Sequence, residues 1–537
     1  MSTLLGLPTE LHLRIIKETD LYDLESLWTS CTTFYDYGKQ DLQMNRYRKA
    51  KYETITVGWD YSTPPTHIHP LFDLRNILED NESRFYPRVM KINSMSYVDP
   101  EDYDNTMTAQ EKDAENDKIV QQHDHRITEM VLEIHRKLLP NAPTTDAMAW
   151  NEDILDAEPA ATVILLLALY PHLEYLHMYN PGQECWSSEY GALFSALTAA
   201  AMDPATNTLG IFSRLSDFTL KGCTRSSESE CKVELLGPFM ALSKMRSIKA
   251  HIVDGRNVEW PWGTGFSQVT DVKLEACDID TTTLTNHICA VKALESFTYT
   301  FYPSEELSLD GDQYTWPTIQ TSYLNGEYPP GLSRFEPRAI VASLQSHACD
   351  TLVFLELTAY TLRSSVPFQD EEPYIKSLRG FRTLRVVKLG TVMLYGRTKR
   401  SARFALKSKL GLKQDDSLGA RAPPLIDFLP ASIHRFHMTS GKVGKSPSRD
   451  DVRAMFQGLP EMREERLPML EEICVEYKEN GNTEEKEGRQ ELQSRCKEVG
   501  IEVESIKWVK DSYGRKSQTS WCDTPHPGAS AIEGTNV

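Results

Sequence analysis

The chain is 537 residues long, enough for about three ordinary domains at roughly 100 to 200 residues each, or for one elongated repeat array with a large core. Its 58 Lys and Arg against 77 Asp and Glu leave a formal charge of −19, which argues against general attraction to nucleic acid or to an anionic membrane surface. Apolar residues at 40% and charged residues at 25% describe a folded globular chain, and ten cysteines with no CxxC pair speak for a reducing compartment, cytoplasmic or nuclear, and against a disulfide framework.

The first eight residues lack the basic segment and long apolar run of a secretory leader. Apolar residues then recur mostly at gaps of three or four: Leu4, Leu5, Leu7, Leu11, Ile15, Ile16, Leu21, Leu24, Leu27, Trp28 and Cys31. That is the helical period, and it predicts two or three short helices, with Pro8 at the first start, Glu10 in its first turn and Asp20 as an N-cap of the second. So small an element buries its stripe only against the rest of the chain or a partner.

Residues 71–92 return to helical spacing, while 101–118 are acidic with almost no large apolar residue and read as a solvated loop or disordered insertion. Residues 127–139 and 160–170 read as helices. The latter run ends at Pro171 and is about half the roughly 20 residues needed to cross a bilayer.

From there a six-residue pattern recurs, apolar at its first, fourth and sixth positions. It reads Leu173, Leu176, Met178; Leu215, Phe218, Leu220; Met245, Ile248, Ala250; Val269, Val272, Leu274; and Leu294, Phe297, Tyr299. It continues as Leu352, Leu355, Leu357; Leu384, Val387, Leu389; Ile433, Phe436, Met438; and Leu470, Ile473, Val475. Apolar residues two apart make a strand, and apolar helical stretches at 233–242, 284–291 and 340–347 precede three of the copies.

Helix and LxxLxL strand in alternation predict an irregular leucine-rich-repeat-like α/β solenoid over 151–510, preceded by a helical module over 1–45 and a helical linker over 46–150. Copies lie about 24 to about 58 residues apart, so a doubly wound α/β domain is the competing fold. Residues 302–334 and 397–424 read as insertions, and 511–537 as a disordered tail. The second insertion carries Arg397, Lys399, Arg400, Arg403, Lys407, Lys409 and Lys413, a solvated basic segment or an import signal.

No phosphate-cradling loop is present, because Thr439 stands where a P-loop ending in Gly444, Lys445 and Ser446 needs Gly. The pairs His67 and His69, His123 and His125, and His172 and His177 do not form a metal-ligand set in sequence, and no HExxH helix or GxSxG elbow occurs. No metal, cofactor or catalytic residue is therefore expected.

Leu7, Pro8, Thr9, Glu10 and Leu11, followed by Ile15, Asp20, Asp23, Leu24, Leu27, Cys31 and Phe34, resemble the F-box pattern of LPxEL, Ile, Asp, DL and a closing Cys and aromatic. Thr19 stands for the family's Leu, Phe34 for its closing Trp, and Thr32 and Thr33 for its basic residues. The rest is similar to fungal F-box proteins with degenerate leucine-rich-repeat-like regions, most clearly over 164–178.

That resemblance implies a non-catalytic substrate receptor of a Skp-cullin-F-box ubiquitin ligase. Leu7, Pro8, Leu11, Ile15, Leu24 and Leu27 would dock on the Skp-type adaptor, and the repeats would bind a protein substrate. The variable strand positions of such a solenoid place Tyr175, His177, Lys249, Lys273, Arg385, Lys388, Arg435 and His437 on the substrate surface, with Glu174, Thr270 and His434 beside them. The competing class is a repeat scaffold with no ligase role; an enzyme assembled from distant residues ranks third.

Overall fold

A computed structural model describes residues 7–19, 21–60, 66–93, 109–140, 143–179, 188–203, 207–222, 231–255, 258, 263–302, 335–359, 375–395, 423–439, 447–477, 483–507, 509–510 and 516–517. They fall into two compact units, one within 1–279 with Cys289–Lys292, the other of Asp280–Ile288 and the described residues from 293 onward. Both are α/β, with helices alternating with parallel strands.

The first unit begins with three helices, α1 (Thr9–Glu18), α2 (Leu21–Ser30) and α3 (Thr32–Tyr52). Its strands are β1 (Thr54–Asp60), β2 (Thr66–Ile68), β3 (Val89–Ile92), β4 (Tyr175–Tyr179), β5 (Asp217–Lys221), β6 (Ser247–His251), β7 (Asp254–Gly255) and β8 (Asp271–Ile279). The sheet order is β2-β1-β3-β4-β5-β6-β8, parallel except for the β1–β2 pair, and β7 adds to β8. The second unit orders β9 (Ser296–Phe301), β10 (Phe354–Ala359), β11 (Val386–Gly390), β12 (Arg435–Thr439), β13 (Glu472–Tyr477) and β14 (Glu502–Lys507) in that sequence, all parallel.

Every apolar residue of the nine LxxLxL copies is buried, from Leu173, Leu176 and Met178 to Leu470, Ile473 and Val475. The first of each triplet ends the approach to a strand and the other two point inward from it, so one sequence pattern builds one wall of each core. Helices close the other side. In Pro159–Leu169 every residue from Ala160 to Leu169 is buried, and the helix starts with Pro159 in its first turn and the Glu158 carboxylate accepting from the Ala160 amide. Helices Leu236–Met240, Thr281–Ala290 and Pro337–Ala348 occupy the three stretches expected to precede strands.

A backbone repeat accompanies the side-chain one. At each strand entrance one carbonyl accepts two successive amides of the next repeat: Glu53 from Arg88 and Val89, Arg88 from Glu174 and Tyr175, Glu174 from Ser216 and Asp217, Ser216 from Arg246 and Ser247. The second unit does the same through Glu295, Val353, Arg385 and His434. Exposed amides at the strand entrances are thus satisfied by the neighbouring repeat.

The strand repeat begins earlier than the sequence pattern indicates. The segment 46–150 contains β1 and β3, and α3 crosses residue 45 to end at Tyr52. Tyr52, Ile55 and Val57, and Pro87, Met90 and Ile92, are buried in the same spacing, with Tyr and Pro in the leading position where leucine is expected. Within the acidic stretch, residues from Ala109 onward belong to the helix Ala109–Leu138, whose inner face includes Asn116, Ile119, Ile127, Val131 and Ile134. Residues 101–108, Asp20, the basic cluster at 397–413, Gly444 to Ser446 and nearly all of 302–334 and 511–537 lie outside the described residues.

Candidate functional site

Two surfaces carry the residues singled out from sequence: the rim of α1–α3 and the polar face of the strands. The three helices have a small core of their own, Leu24, Trp28 and Leu42 with Ile16 against it. Buried His12 of α1 meets Phe34 of α3 edge-on at 5.1 Å, and Tyr37 lies 6.1 Å away. Cys31 holds the extended backbone between α2 and α3. A Cβ on Gly38 would overlap the Trp28 indole, so α3 lies against that ring by virtue of having no side chain there.

Pro8 and Leu11 are exposed, Leu11 by 43%, and Leu7, Ile15 and Leu27 are half-buried. Leu24 instead points into the helical core, so its side chain serves folding and does not reach the rim. Leu13, Tyr35, Tyr37, Met44 and Tyr47 are also exposed. Six of the eight exposed large apolar residues among those described therefore lie on α1 and α3, a concentration that folding of the chain itself does not explain. The far end of α3 is fixed: the Tyr86 hydroxyl donates to Asn45 Oδ1 at 2.8 Å, and the Arg48 guanidinium donates to both Asp80 oxygens at 2.8 and 3.0 Å.

On the first unit's sheet, strand register aligns Lys91, His177, Thr219, Lys249 and Lys273 in one row across β3, β4, β5, β6 and β8. The next row, toward the strand C-termini, holds Tyr179, Lys221, His251 and Glu275. The row before it holds Tyr175, Asp217, Ser247 and Asp271. Lys91, Lys221 and Lys249 are exposed, and Lys221 lies 4.7 Å from the Tyr179 ring. Lys273 pairs with Glu275 at 3.0 Å. Partial burial, and then Lys91 and Lys249, hold the His177 imidazole below its ordinary titration range; burial and then Lys221 do the same to His251.

The equivalent row of the second unit runs Thr298, Glu356, Lys388, His437 and Cys474. Here each basic side chain lies beside a carboxylate. Lys388, 8% exposed, meets Glu356 at 2.9 Å, and His437 Nε2 lies 3.4 Å from the buried Glu476 carboxylate. Arg435 pairs with Glu472 at 2.9 Å. Arg385 sits off this face, at the strand entrances, in an open groove of about 610 Å³ lined also by Glu295, Asp350, Arg382, His434 and Met469.

The eight strand-face residues expected from sequence thus separate into an open set, Tyr175, His177 and Lys249, a set with a carboxylate beside each member, Lys273, Lys388, Arg435 and His437, and the groove residue Arg385. Lys91, Lys221 and His251 belong with the open set and escaped the sequence reading. Lys221 and His251 lie one step beyond the LxxLxL window, and Lys91 is in a strand whose leading residue is Pro87.

No group of His, Cys, Asp and Glu among the described residues is arranged to hold a metal ion. Burial pushes the Cys277 and Cys496 thiols up to about 12, which removes the thiolate a nucleophile needs. No helix among the described residues is long and apolar enough to cross a membrane. Comparison of the chain with protein-family models, with curated proteins and with solved structures finds no match.

Proposed function

We propose that this chain is a non-catalytic receptor that docks through α1–α3 on the Skp-type adaptor of a Skp-cullin-F-box ubiquitin ligase and holds a protein substrate on the polar face of a leucine-rich-repeat-like array. The observation that carries the reading is the apolar rim of Leu7, Pro8, Leu11, Ile15 and Leu27 on a helical element that already has its own core. A fully exposed aliphatic side chain contributes on the order of 1.5 to 3 kcal/mol when a partner buries it. Leu11, 43% exposed, contributes part of that, and the half-buried Leu7, Ile15 and Leu27 contribute less.

Strand order supports a solenoid over a doubly wound sheet, since apart from the antiparallel β2 and the short β7 successive strands within each unit lie next to one another and run parallel. A receptor of this type needs neither cofactor nor catalytic group; it acts by raising the effective concentration of substrate beside a ubiquitin-loaded partner. Its charge of −19 disfavours nucleic acid and anionic membrane as partners.

Pull-down of the full chain with purified Skp-type adaptor tests this, alongside Pro8→Ala and Leu11→Ala variants whose folding is checked by circular dichroism. The wild type should bind, and each variant should bind at least about tenfold more weakly. A folded wild type that does not bind overturns the reading in favour of a repeat scaffold capped by α1–α3. The bonds from Tyr86 to Asn45 and from Arg48 to Asp80 favour that second reading, because they tie α3 into the first unit as a cap would be tied.

A further inference from the structure

The sheet face of the first unit has an electrostatic character at odds with the chain as a whole. In a protein of charge −19, the central row sets Lys91 beside His177 and, past Thr219, Lys249 beside Lys273, and the following row adds Lys221 and His251, with Glu275 the row's carboxylate. Among the described residues only Lys273 of these lysines has a carboxylate partner, Glu275. Lys249 and Lys273 are direct register partners, an arrangement that like charges disfavour and that folding alone gives no reason to keep.

We propose that this row binds an acidic, extended peptide segment of a partner protein, lying across the strands with its Asp and Glu side chains on Lys91, Lys249, Lys273 and Lys221. Adjacent strands lie about 4.8 Å apart, so the row from β3 to β8 spans roughly 19 Å, the length of about six extended residues. Asp217 and Asp271 in the preceding row repel such a segment from the strand entrances and hold it in register over the lysines. Tyr175 and Tyr179, half-buried on either side of His177, offer ring surface to its apolar side chains. Lysine ammoniums act as point charges without the planar fork of arginine, which suits carboxylates arriving along an extended chain in variable geometry.

The inference shares with the proposed function the reading of this face as the partner surface, but it does not depend on adaptor docking. The test is fluorescence anisotropy of labelled octaglutamate with the full chain at low ionic strength, beside octalysine and a single-stranded oligonucleotide of equal length. The triple variant Lys91→Glu, Lys249→Glu, Lys273→Glu is compared with wild type. Octaglutamate should bind, octalysine should not, added salt should weaken the complex, and the triple variant should bind at least about tenfold more weakly.

No octaglutamate binding, or equal binding by the folded triple variant, overturns the proposal, as does tighter binding of the oligonucleotide through the same lysines. Leu11→Ala, which removes part of the α1 rim, should leave octaglutamate affinity unchanged. Adaptor binding can therefore fail while this inference stands, and the reverse.

Discussion

The two units use the same inward pattern and opposite outward chemistry. In both, the apolar positions of each repeat are buried, yet the first unit leaves Lys91 and Lys249 exposed without carboxylate partners among the described residues, whereas the second buries Lys388 against Glu356 and places His437 beside Glu476. A face whose charges neutralise one another contributes to its own fold. A face whose like charges are adjacent gains nothing for its own fold from that adjacency. On the binding proposed above, the difference would separate a structural role from a recognition role on strands that are otherwise alike.

The sharpest way to break that contrast is to remove one member of the second unit's pair. Lys388→Met leaves Glu356 beside an apolar side chain in a site where it is 15% exposed, and should cost about 3 kcal/mol by chemical denaturation. The double variant Glu356→Leu, Lys388→Met should recover most of that loss, because an apolar pair of similar volume avoids the desolvation that both charges now bear. A single variant as stable as wild type would show that this face, too, is solvated.

His69 in the first unit and His287 in the second are buried histidines held neutral near pH 7, and acid should act on both. Burial holds His69 in the first unit and His287 in the second at about 4. His69 Nδ1 accepts from the Leu71 amide at 3.2 Å, so Nε2 carries the proton and donates to the Ala157 carbonyl at 3.0 Å; a second proton would face an N–H. The unfolded chain takes up protons near 6.5 and the folded one only near 4, so stability is complete above about 6.5 and is lost as pH falls between them. At pH 4 the loss is on the order of 3 kcal/mol per histidine. Denaturation midpoints measured from pH 7 to pH 4 should fall for wild type and fall less for His69→Gln, whose amide can both donate and accept.

Gly38→Ala sharpens the picture of the N-terminal helices. The added methyl meets the Trp28 ring, and relief requires the indole to move from a core that also holds Leu24 and Leu42, at about 1 to 3 kcal/mol. Tryptophan fluorescence and adaptor pull-down should change together in this variant if the rim depends on that core.

The repeats with an apolar leading residue and alternating strand positions, from Leu173 to Val475, were legible because burial on one side imposes a period of two. The repeats at Tyr52 and Pro87 were not, since a half-polar aromatic and a proline fill the leading position while making the same inward contact. The helix over 109–118 was hidden by its acids, a composition that reads as solvated loop, while Asn116 turns inward. Leu24 and Leu11 are alike in sequence and differ in which side of their helices meets α3. Lys249 and Lys388 occupy equivalent strand positions, and what distinguishes them is a neighbour supplied by register: Lys273 beside the first, Glu356 beside the second.

That last distinction predicts the smallest effect and the most direct comparison. Lys249→Gln should change folding stability by no more than about 0.5 kcal/mol, because an exposed side chain with no carboxylate partner among the described residues has little to lose. The sign should be neutral to favourable, since the substitution removes repulsion from Lys273 on the adjacent strand, a cross-strand term on the order of 0.2 to 1 kcal/mol before screening. Added salt should narrow the difference, as it screens the repulsion in wild type and has nothing to screen in the variant. A loss above about 1 kcal/mol on denaturation would mean that Lys249 holds the fold as Lys388 does, and the contrast between the two faces would fail at the residue where it is most exposed to test.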